Sequence, residues 1–148
     1  MTNGRRALLA IAAPLAIFSF AAPAAAAVIN VVKTASCGCC GKWVEHMKKA
    51  GHDVRVTNVD DVTPTAKRLG VPDDLRSCHT STVGGYAIEG HVPAADIARL
   101  LKEKPKAAGI AVAGMVAGSP GMEMGNQKPA YQTIIFTRDG KRKVFAQH

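Results

Sequence analysis

The chain has 148 residues and a formal charge of +8. Its lysines and arginines are scattered, apart from Lys102, Lys104 and Lys106 and the run Lys141-Arg142-Lys143. That pattern excludes the dense basic face with interleaved aromatics of a nucleic-acid binder; it reads as solvated charge.

Residues 1–27 read as a cleaved signal peptide. Arg5 and Arg6 form a basic start, residues 7–20 an apolar stretch, and Ala25-Ala26-Ala27 a small-residue cleavage site before Val28. Pro14 and the alanine-rich tail argue against a retained membrane helix, so no stable membrane insertion is expected. The product is expected outside the cytoplasm, secreted or periplasmic. Loss of the leader leaves 121 of the 148 residues, one domain's worth, and takes the charge from +8 to +6. An oxidising compartment permits disulfides, so a thiol metal site there must resist oxidation or be kept reduced.

Residues 28–34 are short and β-branched, the pattern of a buried strand. A helix is expected over residues 40–50, with Trp43, Val44 and Met47 on its apolar face and Gly51 at its end. Residues 54–59 alternate as a second strand. A short helix over 64–69 carries Pro64 in its first turn, and Gly70-Val71-Pro72 breaks the chain. Residues 80–83 and 86–89 read as a hairpin about Gly84-Gly85. Pro93 opens a last helix that turns Ile97, Leu100 and Leu101 inward.

This order predicts an α/β fold, a thioredoxin-like central mixed sheet flanked by helices. Residues 106–130 show no sustained period and are expected to form a functional or disordered loop. A hairpin over 131–147 follows, turning at Arg138-Asp139-Gly140; it is too short to be stable alone and is assigned to the same domain, residues 28–148, on an edge left open.

The chemical signal is Cys37-Gly38-Cys39-Cys40-Gly41, three thiols within four positions between a strand and a helix, with Cys78 as the fourth cysteine. Free amides and the dipole at a helix start favour thiolate, which is both nucleophile and metal ligand. Cys37 and Cys40 have the spacing of a dithiol redox pair. Cys39 complicates that reading, because a third thiol attacks mixed disulfides and permits wrong pairings. For a soft ion it is an asset: Cu(I) prefers thiolate and thioether, and sulfur can bridge several ions. Four cysteines also suffice for one tetrahedral Zn(II), although adjacent Cys39 and Cys40 are awkward donors to a single ion.

Cys78 follows the second helix and is expected to aim at the other thiols; a disulfide with Cys37 or Cys40 and inert burial are the alternatives. Strand alternation turns His79 to the face opposite Cys78. His46 and His52 read as surface residues, and His91 and His148 are not assigned to the site. Met115, Met122 and Met124 lie in the irregular loop rather than on a helix face, and are candidate thioether ligands closing over the thiols.

Three segments carry a resemblance: TASCGCCGKWVEHMKKAG at 34–51, GVPDDLRSCHTSTVGGYAIEGHVPAADIARLL at 70–101, and GMVAGSPGMEMG at 114–125. Together they are similar to the small periplasmic copper-resistance proteins of the CopG type. The resemblance implies a thioredoxin-like fold and a cysteine-bridged cluster of several copper ions on Cys37, Cys39, Cys40 and Cys78, with the methionine-bearing loop near it. It also implies capture of Cu(I), interconversion of Cu(I) and Cu(II), and a periplasmic copper carrier or reductant as partner. The alternative left open is a thiol–disulfide oxidoreductase using Cys37 and Cys40.

Overall fold

The computed structural model describes residues 27–148. The expected leader therefore lies outside the described residues, except for Ala27. A seven-stranded mixed sheet runs through the molecule in the order β2-β1-β3-β4-β5-β6-β7. β1 (Val28–Lys33) turns Ile29, Val31 and Lys33 to one face. It runs parallel to β2 (Asp53–Asn58) and antiparallel to β3 (His79–Val83). β3 and β4 (Tyr86–Glu89) form the expected hairpin, pairing Thr80 with Glu89 and Val83 with Tyr86.

The helices cover opposite faces. α1 (Gly38–Lys49) buries Cys40, Trp43, Val44 and Met47, recurring at helical spacing. With α3 (Ala94–Glu103), which contributes Ile97 and Leu100, it packs on Ile29, Val31, Ile88, Ile110 and Ile135. α2 (Thr63–Arg68) and a 3-10 turn at Asp73–Leu75 bring Ala66 and Leu75 to the other face, against Ala87, Ala111 and Phe136. Adjacent strand residues such as Ala87 and Ile88 thus feed different cores, as the pleat requires.

Two expectations change. The segment 106–130 is not wholly irregular: it contains β5 (Gly109–Ala111), parallel to β4 and antiparallel to β6 (Gln132–Phe136). Three residues among glycines and alanines carry too little pattern to be read as a strand, and β5 exists because it has a paired strand on each side. It also decides where the C-terminal hairpin attaches: β6 pairs with β5, and β7 (Arg142–Gln147) becomes the sheet edge. Second, β2 runs over Asp53–Asn58 rather than 54–59, and as a sheet edge with little cover it leaves Val54 half-buried and Val56 43% exposed.

Candidate metal centre

Cys37 is the N-cap of α1, and Cys39 and Cys40 sit in its first turn, which holds no acidic residue to compete for the positive helix end. Cys78 immediately precedes β3 and lies over that turn. Cys39 Sγ is 3.5 Å from Cys37 Sγ and 3.8 Å from Cys78 Sγ, and Cys78 Sγ is 3.4 Å from Cys40 Sγ. A disulfide between Cys37 and Cys40 completes a ring of four sulfurs. Cys39 and Cys78 are free thiols, so the alternative disulfide of Cys78 with Cys37 or Cys40 is not formed.

His79 corrects the sequence reading. Its ring is fully buried against Trp43, at 4.6 Å between centroids, and its Nδ1 is 3.6 Å from Cys78 Sγ. Alternation sends the two Cβ atoms to opposite faces, but Cys78 stands outside the strand, where that rule lapses. His91, unassigned from the sequence, is closer still, with Nε2 at 3.1 Å from Cys78 Sγ. A usable signal existed. In a hairpin turning at Gly84-Gly85, residues equidistant from the turn face each other, and the observed pairing of Thr80 with Glu89 extends outward to Cys78 opposite His91.

Burial sets the protonation of this pocket. It pushes Cys78 up to about 11, with the neighbouring Cys39 thiol adding to the rise. It draws His79 down to about 3 and lowers His91, against the opposing hydrogen bond to Pro120. The pocket thus favours neutral imidazoles.

Glu89 fastens the segment carrying these groups. Fully buried, it accepts from the Ser77 amide at 2.7 Å and the Thr80 hydroxyl at 2.6 Å, bracketing Cys78 and His79. Burial raises its own pKa despite both bonds.

The loop after β5 closes over the pocket by its backbone. His91 Nδ1 donates to the Pro120 carbonyl at 2.8 Å, Ser77 Oγ donates to the Gly114 carbonyl, and Glu123 pairs with His46 at 2.7 Å. Gly121 has φ +85, and a Cβ there would lie 2.7 Å from Trp43 N and 2.8 Å from Cys39 O. Only glycine lets the loop rest on the cysteine turn. Met122 is half-buried beside this contact, whereas Met115 and Met124 are 60% and 57% exposed.

The donor set fits a soft metal ion. With a metal–sulfur bond of about 2.3 Å and a tetrahedral angle, two sulfurs on one ion lie about 3.8 Å apart. The unbonded edges of the ring, 3.4 to 3.8 Å, approach that spacing. Ligand atoms from Cys37, Cys39, Cys40 and Cys78 all lie within 4.8 Å of one another, as do those of Cys78, His79 and His91.

The family described as "Protein of unknown function, DUF411" matches residues 75–122, the stretch holding Cys78, His79, His91 and the start of the loop. A search of curated proteins finds no match. A solved structure described as copper resistance protein copG, Form 2, is 43% identical with a TM-score of 0.79, covering 83% of this chain and 98% of its own. Form 1 is 45% identical with a TM-score of 0.78, covering 82% and 96%. At that identity and near-complete coverage of the relatives, this chain belongs to the CopG-type copper-resistance protein family.

Proposed function

We propose that this protein captures copper in the periplasm by holding several Cu(I) ions bridged between the thiolates of Cys37, Cys39, Cys40 and Cys78. The single observation that carries the reading is the sulfur ring, whose three unbonded edges have near-bridging separations. Soft thiolates select Cu(I) over harder ions, and the relatives are described as copper-resistance proteins. The β2-β1-β3-β4 order supports a thioredoxin-like domain over residues 28–148. The N-terminal sequence supports residues 1–27 as its export signal. Met122, beside the loop's contact with Cys39, is the thioether best placed to cap the cluster; Met115 and Met124 would have to turn inward from solvent.

Copper is also a redox substrate in this reading. Two thiols closing to a disulfide release two electrons and two protons, enough to reduce two Cu(II) to two Cu(I). Cys37 and Cys40, bonded to each other here, are that pair. Reopening the disulfide calls on a reductant, and a periplasmic carrier would exchange the copper.

Anaerobic titration of the reduced protein with Cu(I) tests the reading. More than one ion per chain is expected, with the luminescence of a solvent-shielded cluster, and Cys39→Ser should lose most of the binding. Tight Zn(II) binding without Cu(I) binding would sink the proposal. The disulfide also favours a second reading, a metal-free thiol–disulfide oxidoreductase. Exchange activity surviving both Cys39→Ser and Cys78→Ser without metal would move the assignment there.

A further inference from the structure

We propose that the open edge of β7, with the cavity beside it, docks an extended acidic segment of a partner polypeptide. The surface stands apart from the candidate metal centre, and the inference does not rest on copper. That centre lies at the end of the sheet where Lys33 meets His79 and Glu89 meets Ala111. Phe136 pairs with Gly109 and Arg142 at the other end, so a partner held there leaves the thiols open.

Lys106 and the run Lys141-Arg142-Lys143 are distant in sequence, and the fold gathers them around one cavity of about 270 Å³. Pro105, Ala107 and the buried Ile135 supply its apolar lining. Arg142 is paired with Asp74, and Lys141 with Asp139 at 2.9 Å. Lys106 and Lys143 meet no carboxylate among the described residues. Two cations beside an apolar hollow are thus available to a ligand.

The strand edge decides what kind of ligand. β7 is the outermost strand of the sheet. Thr137 N donates to Lys141 O, so antiparallel alternation turns the backbone groups of Lys141 and Lys143 toward β6 and those of Arg142 and Val144 outward. Val144 is also 45% exposed. An extended chain can add there as a further strand, with main-chain bonds to Arg142 and Val144. Charge then selects the chain. A second copy paired about Arg142 would bring like charges together, the usual protection of an edge strand. A segment bearing carboxylates would instead pair with Lys106 and Lys143, and its apolar side chains on the face of Lys143 would stand beside the cavity. β2, the other edge, lacks this bias, because its Arg55 lies 3.8 Å from its own Asp53. An anionic lipid surface would meet the same cations but has no strand to offer Arg142 and Val144.

The test is a titration of the purified protein with a short capped peptide alternating glutamate and valine, read by calorimetry and amide exchange. Binding is expected, weakening as salt rises, with exchange slowed at Arg142 and Val144. A peptide alternating lysine and valine should not bind. The double variant Lys106→Glu, Lys143→Glu should weaken the acidic peptide by about tenfold or more and leave the Cu(I) stoichiometry unchanged. Val144→Pro removes an outward N–H and no bond to β6, and should weaken the peptide likewise; circular dichroism checks the fold of both variants. No binding, binding undiminished in either variant, or slowed exchange at β2 instead of β7 overturns the proposal. So does association with phosphatidylglycerol vesicles without binding of the peptide.

Discussion

At the scale of single residues, His79 shows how the pocket shapes stability. An unfolded imidazole titrates near 6.5, but burial in the folded protein lowers His79 to about 3. Between those values the unfolded chain binds the extra proton, so the stability contributed by the neutral ring is present above about 6.5 and is lost as pH falls toward 3. Glu89 works in the opposite sense: its folded pKa is raised by burial, so its contribution improves as pH falls through its own range. Urea midpoints of metal-free protein should therefore decline from pH 7 to pH 4. His79→Phe should flatten that decline, and an equally steep one in the variant would show that His79 does not cause it. The residue type was legible in the sequence, but its burial was not, because a histidine at the start of a strand gives no sign of the tryptophan that will cover it.

At the scale of elements, β5 decides the architecture of the C-terminal half. It lies so close to β4 that a Cβ on Gly109 would stand 2.0 Å from the Ala87 carbonyl oxygen. Both partners are backbone and have little room to yield. Gly109→Ala should cost roughly 1–3 kcal/mol by this overpacking, seen as a lower urea midpoint. A midpoint matching wild type would mean that the two strands separate at no cost. The same three residues explain why the element was missed. Gly109, Ile110 and Ala111 have no alternation long enough to recognise, and their strand character comes from hydrogen bonds to β4 and β6. The β3–β4 hairpin was readable because Gly84-Gly85 marks its turn locally.

At the scale of the whole molecule, the candidate centre is assembled from separated pieces: the start of α1, the residue before β3, the chain leaving β4 and the loop beyond β5. The loop is tied to the others through Pro120, Gly121 and Glu123. A ligand that binds only the assembled state stabilises every piece it joins. Cu(I) loading should thus raise the melting temperature and slow amide exchange across residues 112–124 as well as at the cysteine turn. Slowing confined to residues 37–40 would show that the loop is not part of the copper-binding unit.

The sequence by itself determined the local facts: a strand leading into a cysteine turn and a helix, a Gly-Gly hairpin, a helix opened by Pro93, and four soft ligands. These are written in short-range patterns of side-chain spacing and backbone freedom, so neighbouring residues suffice to reveal them. Only the tertiary structure decided that Cys37 and Cys40 are bonded while Cys78 stays free beside them. It alone placed His91 on Cys78, buried His79 and made Gly121 the point where the loop rests on the cysteine turn. Those outcomes depend on strand register and on contacts between segments dozens of residues apart, where the energy lies in packing and desolvation.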